Sequence, residues 1–362
     1  MLSCRVGEIP QQVIVTIRHR RGNRACAAVP VPGFGRVGRS PWLGLGEKHP
    51  LTGYTGGMNE HDQHHLPAQT VGEALDYCHE ALVNSDVYFG HGTDNAWDEA
   101  VQLVLSVADL PLDSGDGVLP HRLAPEAVTQ LERLLRERIE QHTPLPYLLG
   151  KAWFAGIEFN SDPRAIIPRS PIAELILNGF QPWYHGPEPS RILDLCCGGG
   201  CIGLAVAHYF TDTHVDLVDI DPAALALARE NAQRLELSGR VDILESDLFD
   251  ALKGRVYDLI LSNPPYVDSE DLAAMPAEFH HEPALALGSG PDGLTLTRQI
   301  LRSAQRFLSP DGLLVVEVGN SWPSLERAYP QVPFTWLEFE HGGDGVFALS
   351  AKELQDYGAS LT

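Results

Sequence analysis

Apolar residues recur along this chain with two distinct periods. From about Thr70 to Thr143 they fall at helical spacing: Val71, Leu75, Cys78 and Leu82, then Val101, Val104, Leu105 and Ala108, then Val128, Leu131, Leu135 and Ile139. Steps of three and four residues place side chains on one stripe of a helix, so this stretch predicts three amphipathic helices in a small helical domain, residues 58–150. Pro144 and Pro146 are expected to stop the third helix, because proline has no N–H to continue the hydrogen-bond ladder. Over 151–190 the period shortens. Alternation in Trp153 to Phe159 and in Ala165 to Ile167 predicts the two arms of a β-hairpin, followed by a short helix.

After Ser190, strand and helix patterns alternate. Strands are expected at Arg191 to Leu195, Val215 to Asp219, Val241 to Glu245, Asp258 to Leu261, Leu313 to Val318, Thr335 to Phe339 and Gly345 to Leu349. Helices are expected at Ile202 to Phe210, Ala223 to Leu235 and Leu294 to Leu308. Such alternation argues for a doubly wound α/β sheet over 191–354, with the last two strands forming an antiparallel hairpin through His341 to Asp344 and residues 355–362 left as a tail.

Composition narrows the class. A chain of 362 residues that is 44% hydrophobic can bury two cores, yet its longest apolar runs fall well short of the roughly 20 residues that cross a bilayer. The six cysteines lack the spacing of a disulfide framework and no secretory signal is seen, which points to a reducing cytoplasm. The net charge of −22 opposes an affinity built on phosphate contacts and favours a basic partner, although acidity also serves solubility. That charge is uneven. Residues 1–57 hold eight Arg and Lys against two acids, leaving 18 basic and 46 acidic residues for 58–362. The 1–57 segment, rich in Gly, Pro and Arg and without helical period, reads as a disordered arm, or as an extension upstream of a true start at Met58. It lacks the amphipathic pattern of a transit peptide.

The candidate chemistry begins at Asp194-Leu195-Cys196-Cys197-Gly198-Gly199-Gly200, where the first strand of the alternating region turns into a helix. Backbone without Cβ atoms lets a nucleotide approach such a turn closely, and Asp219, at the end of the next strand, is placed to accept bonds from ribose hydroxyls. Alone, these features fit NAD as well. Two others favour S-adenosyl-L-methionine: Asp194 suits a cationic amino-acid group and would repel a pyrophosphate, and Asp247 and Leu248 offer a polar group and an apolar wall for an adenine. Cys196, Cys197 and Cys201 lack a fourth ligand at zinc spacing and are expected to be packing residues, and the cluster Glu60, His61, Asp62, His64 and His65 a solvated tail, so no metal site is expected.

Asn263-Pro264-Pro265-Tyr266 follows the fourth strand. An amide nitrogen is a poor nucleophile because its lone pair is delocalised. The Asn263 side-chain oxygen and the Pro264 carbonyl can accept its two N–H bonds and so orient the lone pair; Pro265 stiffens the backbone, and Tyr266 offers a flat face to a planar amide. Asn263 also borders the cofactor turn and counts among its expected contacts.

At these residues, and from about Val71 to Leu354, the chain resembles the protein glutamine methyltransferases, whose fold is a class I S-adenosylmethionine-dependent methyltransferase domain, a seven-stranded Rossmann-like sheet, behind a small helical domain. Phe89 to Ala100, Ile167 to Leu175 and Trp336 to Gly345 look like the branch that acts on large-subunit ribosomal protein L-three; Pro171 stands where the release-factor branch carries an acid. The resemblance implies cofactor contacts from Cys196 to Gly200 and Asp219, and a glutamine held by Asn263 to Tyr266. Cys197 and Gly199 depart from the usual Thr or Ser of the family, which leaves backbone geometry intact but puts cofactor affinity in question. Three other readings stand beside it: release-factor glutamine methylation, adenine methylation of DNA, which the absence of a Lys/Arg-rich segment in 58–362 opposes, and a non-catalytic assembly factor.

Overall fold

The computed structural model describes residues 68–361. The 1–57 segment and the Glu60 to His65 cluster lie outside the described residues. Within them the chain forms two compact units, 68–150 and 151–361.

In the first unit, α1 (Val71–Val83), α2 (Ala96–Val107) and α3 (Pro125–Glu140) are followed by a short α4 (Leu145–Leu149). Local signals start them. Thr70 and Glu73 form a reciprocal capping box on α1, Asn95 accepts from the Asp98 N–H on α2, and Pro125 opens α3. Val71, Leu75, Cys78, Leu82, Val101, Val104, Leu105, Leu131 and Leu135 are all buried, while Ala108, Val128 and Ile139 pack at the core's edge. Pro144 and Pro146 differ from expectation: α3 has already ended at Glu140, and the two prolines begin α4, where a missing N–H costs nothing.

The second unit opens with a two-stranded antiparallel hairpin, β1 (Lys151–Phe154) and β2 (Ile157–Asn160), then α5 (Ile172–Leu177). Both arms overlap Trp153 to Phe159, which the sequence pattern predicts as one strand, and extend beyond it to Lys151 and Asn160. The turn is Ala155-Gly156, both at positive φ (48° and 78°), the conformation a two-residue hairpin loop demands. Ala165 to Ile167, predicted as the second arm, is irregular.

The remainder runs β3 (Arg191–Leu195), α6 (Cys201–Tyr209), β4 (His214–Asp219), α7 (Pro222–Arg234), β5 (Val241–Glu245), β6 (Tyr257–Ser262), α8 (Ser269–Ala274), α9 (Thr295–Ser303), β7 (Leu308–Glu317), α10 (Trp322–Ala328), β8 (Thr335–Trp336), β9 (Val346–Ser350) and α11 (Ala351–Asp356). Seven strands form one sheet in the order β5-β4-β3-β6-β7-β9-β8, parallel except for β9, which runs antiparallel to both β7 and β8. Helices cover the sheet, so the central strands are buried on both faces: Leu193, Leu217, Leu259 and Ile260 are fully buried, as are the acids Asp194 and Asp216 that interrupt the apolar runs of β3 and β4. The class I methyltransferase fold expected from the sequence is present. The final hairpin is shorter than predicted on its first arm: β8 stops at Trp336, and residues 337–345 form a longer connection in which Gly342, Gly343 and Gly345 adopt positive φ. The helix expected to reach Leu308 stops at Ser303, and β7 begins at Leu308. Residues 355–361, read as a tail, finish α11 and add a short turn that buries Leu361.

Candidate active site

Strand order reverses between β3 and β6, and a cleft opens at the carboxyl ends of the strands on either side, as doubly wound sheets require at a switch point. Four strand ends supply its walls: Leu195, Cys196 and Gly198 after β3, Asp219 and Ile220 after β4, Asp247 and Leu248 after β5, and Asn263 and Pro265 after β6. Two further segments complete it, Arg164 to Ile166 and Pro283 to Ala286, together with Leu296.

The turn after β3 is strained and heavily braced. Cys196 is held at φ 62°, and Gly198 and Gly200 also adopt positive φ. Asp194, with no exposed surface, lies beneath the turn: its Oδ2 accepts from the Gly203 N–H at 2.8 Å, while Oδ1 is buried with no hydrogen-bond partner among the described residues. Burial pushes its carboxyl up to about 7, against the pull of the Gly203 bond and with help from the neighbouring charge of Asp219. Gly203 must be glycine, since a Cβ there would stand 2.5 Å from Leu217 Cδ2 and 2.9 Å from Asp194 Cβ. The thiols of Cys196, Cys197 and Cys201 are pushed up by burial and remain protonated, hence inert.

Asp219 braces the same turn. Its Oδ2 accepts from the Gly198 N–H at 2.8 Å and its Oδ1 from the Asp221 N–H at 3.0 Å, so each oxygen keeps a lone pair for a ligand on the cleft side. Its carboxyl is raised by burial, an effect these backbone bonds oppose. Leu248, at φ 47°, and half-exposed Ile220 provide facing apolar surface.

After β6, Ser262 anchors the start of the Asn263 to Tyr266 segment to β3 by donating to the Leu195 carbonyl at 2.7 Å. Asn263 lines the cleft, and its amide has no hydrogen-bond partner among the described residues. Pro265 lines it too, whereas Pro264 is buried behind. Tyr266 is half-buried and stands beside the cleft; its hydroxyl donates to Glu317 Oε1 at 2.9 Å.

Of the residues singled out from sequence, the structure thus brings Cys196, Gly198, Asp219, Asp247, Leu248, Asn263 and Pro265 to one cleft. Asp194, Cys197, Gly199, Gly200, Pro264 and Tyr266 support it from behind or beside. Sequence reasoning missed Arg164 to Ile166, Ile220, Ser262 and the 283–286 segment. Only Ile220 carried a local signal, as the residue after the strand-end acid.

Residues 173–328 match the methyltransferase small domain family. The chain is 47% identical over 289 residues to the ribosomal protein uL3 glutamine methyltransferase of Francisella tularensis, covering 80% of this chain and 92% of that one. It is also 47% identical over 293 residues to the protein of the same name from Xanthomonas campestris, covering 81% and 95% respectively. A solved methyltransferase from Pyrococcus furiosus superposes with a TM-score of 0.40 at 16% identity, over 54% of this chain and 89% of that one.

Proposed function

The chain belongs to the ribosomal protein uL3 glutamine methyltransferase family, and we propose on that footing that it methylates the side-chain amide nitrogen of a glutamine in uL3, the L-three protein of the large subunit, using S-adenosylmethionine in the cytoplasm. The observation that carries the reading is the meeting of Asp219, Cys196, Gly198 and Asn263, whose amide has no partner among the described residues, in one cleft of a chain so close to its relatives.

The residues fit the cofactor chemically. Asp194 lies beneath the turn with Oδ1 unpartnered among the described residues, on a carboxyl raised to about 7, and a cationic group in the cleft above would favour its ionised form across the turn. Asp219 retains lone pairs for ribose hydroxyls, and Ile220 and Leu248 suit the faces of an adenine ring. When bound, S-adenosylmethionine supplies a methyl group activated by its sulfonium. The protein's part is to orient and polarise the acceptor. Asn263 Oδ1 and the Pro264 carbonyl accept the two N–H bonds of the glutamine amide, which turns the nitrogen lone pair toward the cleft and stabilises positive charge as it develops there. Ser262, Pro264 and Pro265 keep these acceptors in place before the substrate arrives. The methylated nitrogen is strongly acidic and loses its proton to water, so no general base is required.

The test is transfer of labelled methyl to purified, unmethylated uL3, with release factor and DNA in parallel and mass spectrometry of the product. Methyl on a glutamine amide of uL3 alone is expected. Label on release factor only would keep the chemistry and change the partner; label on DNA would remove the reading.

A further inference from the structure

Two segments, Ile167 to Leu175 and Trp336 to Gly345, have no role in the chemistry derived above. They are far apart in sequence and converge on one residue of the acceptor motif.

Glu317, the last residue of β7, is only 5% exposed. Its Oε1 accepts from the Tyr266 hydroxyl at 2.9 Å and its Oε2 from the Ser170 hydroxyl at 2.6 Å. Ser170 is itself fixed, because its Oγ accepts from the Ile172 N–H at 3.2 Å at the start of α5. Glycines close the frame. A Cβ on Gly319 would lie 2.5 Å from Cε2 of the Tyr266 ring, so that ring rests directly on backbone. Gly345 packs on Gly319 in turn, where a Cβ would stand 2.2 Å from the Gly319 carbonyl oxygen, and Gly343 packs on Pro171, with a Cβ 2.8 Å from Pro171 Cβ. The Tyr266 carbonyl accepts from Ser321 Oγ at 2.7 Å. The hydroxyl, ring and carbonyl of Tyr266 are therefore each held by a different neighbour.

We infer that Glu317 is a positioning residue for methyl transfer: by holding the Tyr266 and Ser170 hydroxyls together, it fixes the tyrosine beside Asn263 in the orientation the acceptor amide needs. The inference rests on reading residues 263–266 as the acceptor site. A carboxylate of this burial is tolerated because two hydroxyls donate to it. Burial, reinforced by Glu317, raises the Tyr266 phenol well above its ordinary range, so it remains a donor at every working pH. A purely structural carboxylate would stabilise the fold without acting through the tyrosine, and the two roles separate by experiment.

Glu317→Ala, Glu317→Gln, Tyr266→Phe and the double variant Glu317→Ala/Tyr266→Phe are compared with the wild-type chain for kcat and KM on uL3, for S-adenosylmethionine affinity by calorimetry, and for the Tyr266 ring position by crystallography. Glu317→Ala is expected to lower kcat by about ten- to a hundredfold, as loss of orientation does, with cofactor affinity within about twofold. Glu317→Gln can still accept from Tyr266 while its amide N–H donates to Ser170 Oγ, and is expected to recover most of the rate. The double variant should be no slower than Glu317→Ala by more than about twofold, since both changes cut one link. The ring should shift in the Ala variant and stay in the Gln variant. Unchanged kcat in Glu317→Ala, an equal loss of cofactor affinity, or an unmoved ring would each overturn the inference. Should the wild type fail to methylate uL3, the substrate reading falls, and the ring position still decides the role of Glu317.

Discussion

The side-chain amide of Asn231 donates to the carbonyl of Gly199 at 3.0 Å, tying α7 to the glycine turn at the head of the cleft. The same side chain reaches the hairpin, where its Oδ1 accepts from the Asn160 N–H at 2.8 Å and its Nδ2 donates to the Asn160 carbonyl at 3.3 Å. Asn231 is fully buried, so each of these backbone groups would lose its partner without gaining water. Asn231→Ala is therefore expected to cost about 2–3 kcal/mol by chemical denaturation, the upper end for a single buried polar group. Because the turn itself loosens, cofactor affinity should fall severalfold, measured by calorimetry on the folded variant. Unchanged affinity would mean that the turn holds its shape without this link.

Asp194 yields a pH prediction with a definite sign. Burial raises its carboxyl from 3.8 in the unfolded chain to about 7 in the native state, so the native protein binds the proton more tightly. Stability from this group is present below about pH 4 and is lost as the pH rises to about 7, by roughly 4 kcal/mol at most. Asp194→Asn keeps an acceptor for the Gly203 N–H and removes the titration. In the free protein it should unfold at higher denaturant than wild type at pH 8, with the difference shrinking toward pH 4. Cofactor affinity should move the other way: if the ionised carboxylate complements the ammonium group, the variant binds more weakly at pH 8. Stabilisation of the variant that is equal at pH 4 and pH 8 would contradict the assignment.

These residues also explain where the sequence was legible. β3 and β5 fall where the apolar runs put them, and the acceptor motif follows β6, because strand limits and proline turns are encoded by neighbours in the chain. The polar braces have no such signature. Ser170 and Glu317 are 147 residues apart, and Tyr266 and Glu317 are 51 apart. Nothing in local periodicity distinguishes a buried Glu that accepts two hydroxyls from one facing water. The hairpin turn was hidden differently: Ala155 is unusual in the left-handed region, and a single Gly156 inside an apolar alternation reads as continued strand. Pro146 followed the opposite course, since proline marks a helix start as readily as a stop.

The helical unit contains another long-range pair. Arg138 Nε donates to Glu99 Oε1 at 2.6 Å, and the two side chains are 2% and 5% exposed. Arg138 Nη2 also donates to the Tyr88 carbonyl at 2.8 Å, and Thr93 donates to the other Glu99 oxygen at 3.1 Å. Removing one member strands a buried charge. Arg138→Met is thus expected to cost about 3–5 kcal/mol, whereas Arg138→Met/Glu99→Met should recover much of that loss. Urea denaturation of the full chain measures both, and a double variant as unstable as the single would show that the pair stabilises by more than mutual neutralisation.

Asp219 and Asn263 face the same cleft, and their removal should affect catalysis in different ways. Asp219 holds the Gly198 and Asp221 N–H groups as well as offering lone pairs to the cleft, so Asp219→Ala removes ligand contacts and a brace together. A loss of about 1–3 kcal/mol in cofactor binding is expected from the hydrogen bonds to an ionised acceptor, with the loosened turn placing it toward the upper limit. Asn263 braces nothing among the described residues, and on the proposed reading its amide serves chiefly the acceptor. Asn263→Ala should therefore leave both stability and cofactor affinity nearly unchanged while reducing kcat at least about a hundredfold, the usual cost of losing a preorganised group that stabilises developing charge. Calorimetry and single-turnover methyl transfer on the two variants separate the effects. If Asn263→Ala instead weakened cofactor binding with kcat intact, Asn263 would belong to the cofactor's wall, and the acceptor amide would have to be held by the Pro264 carbonyl and Tyr266.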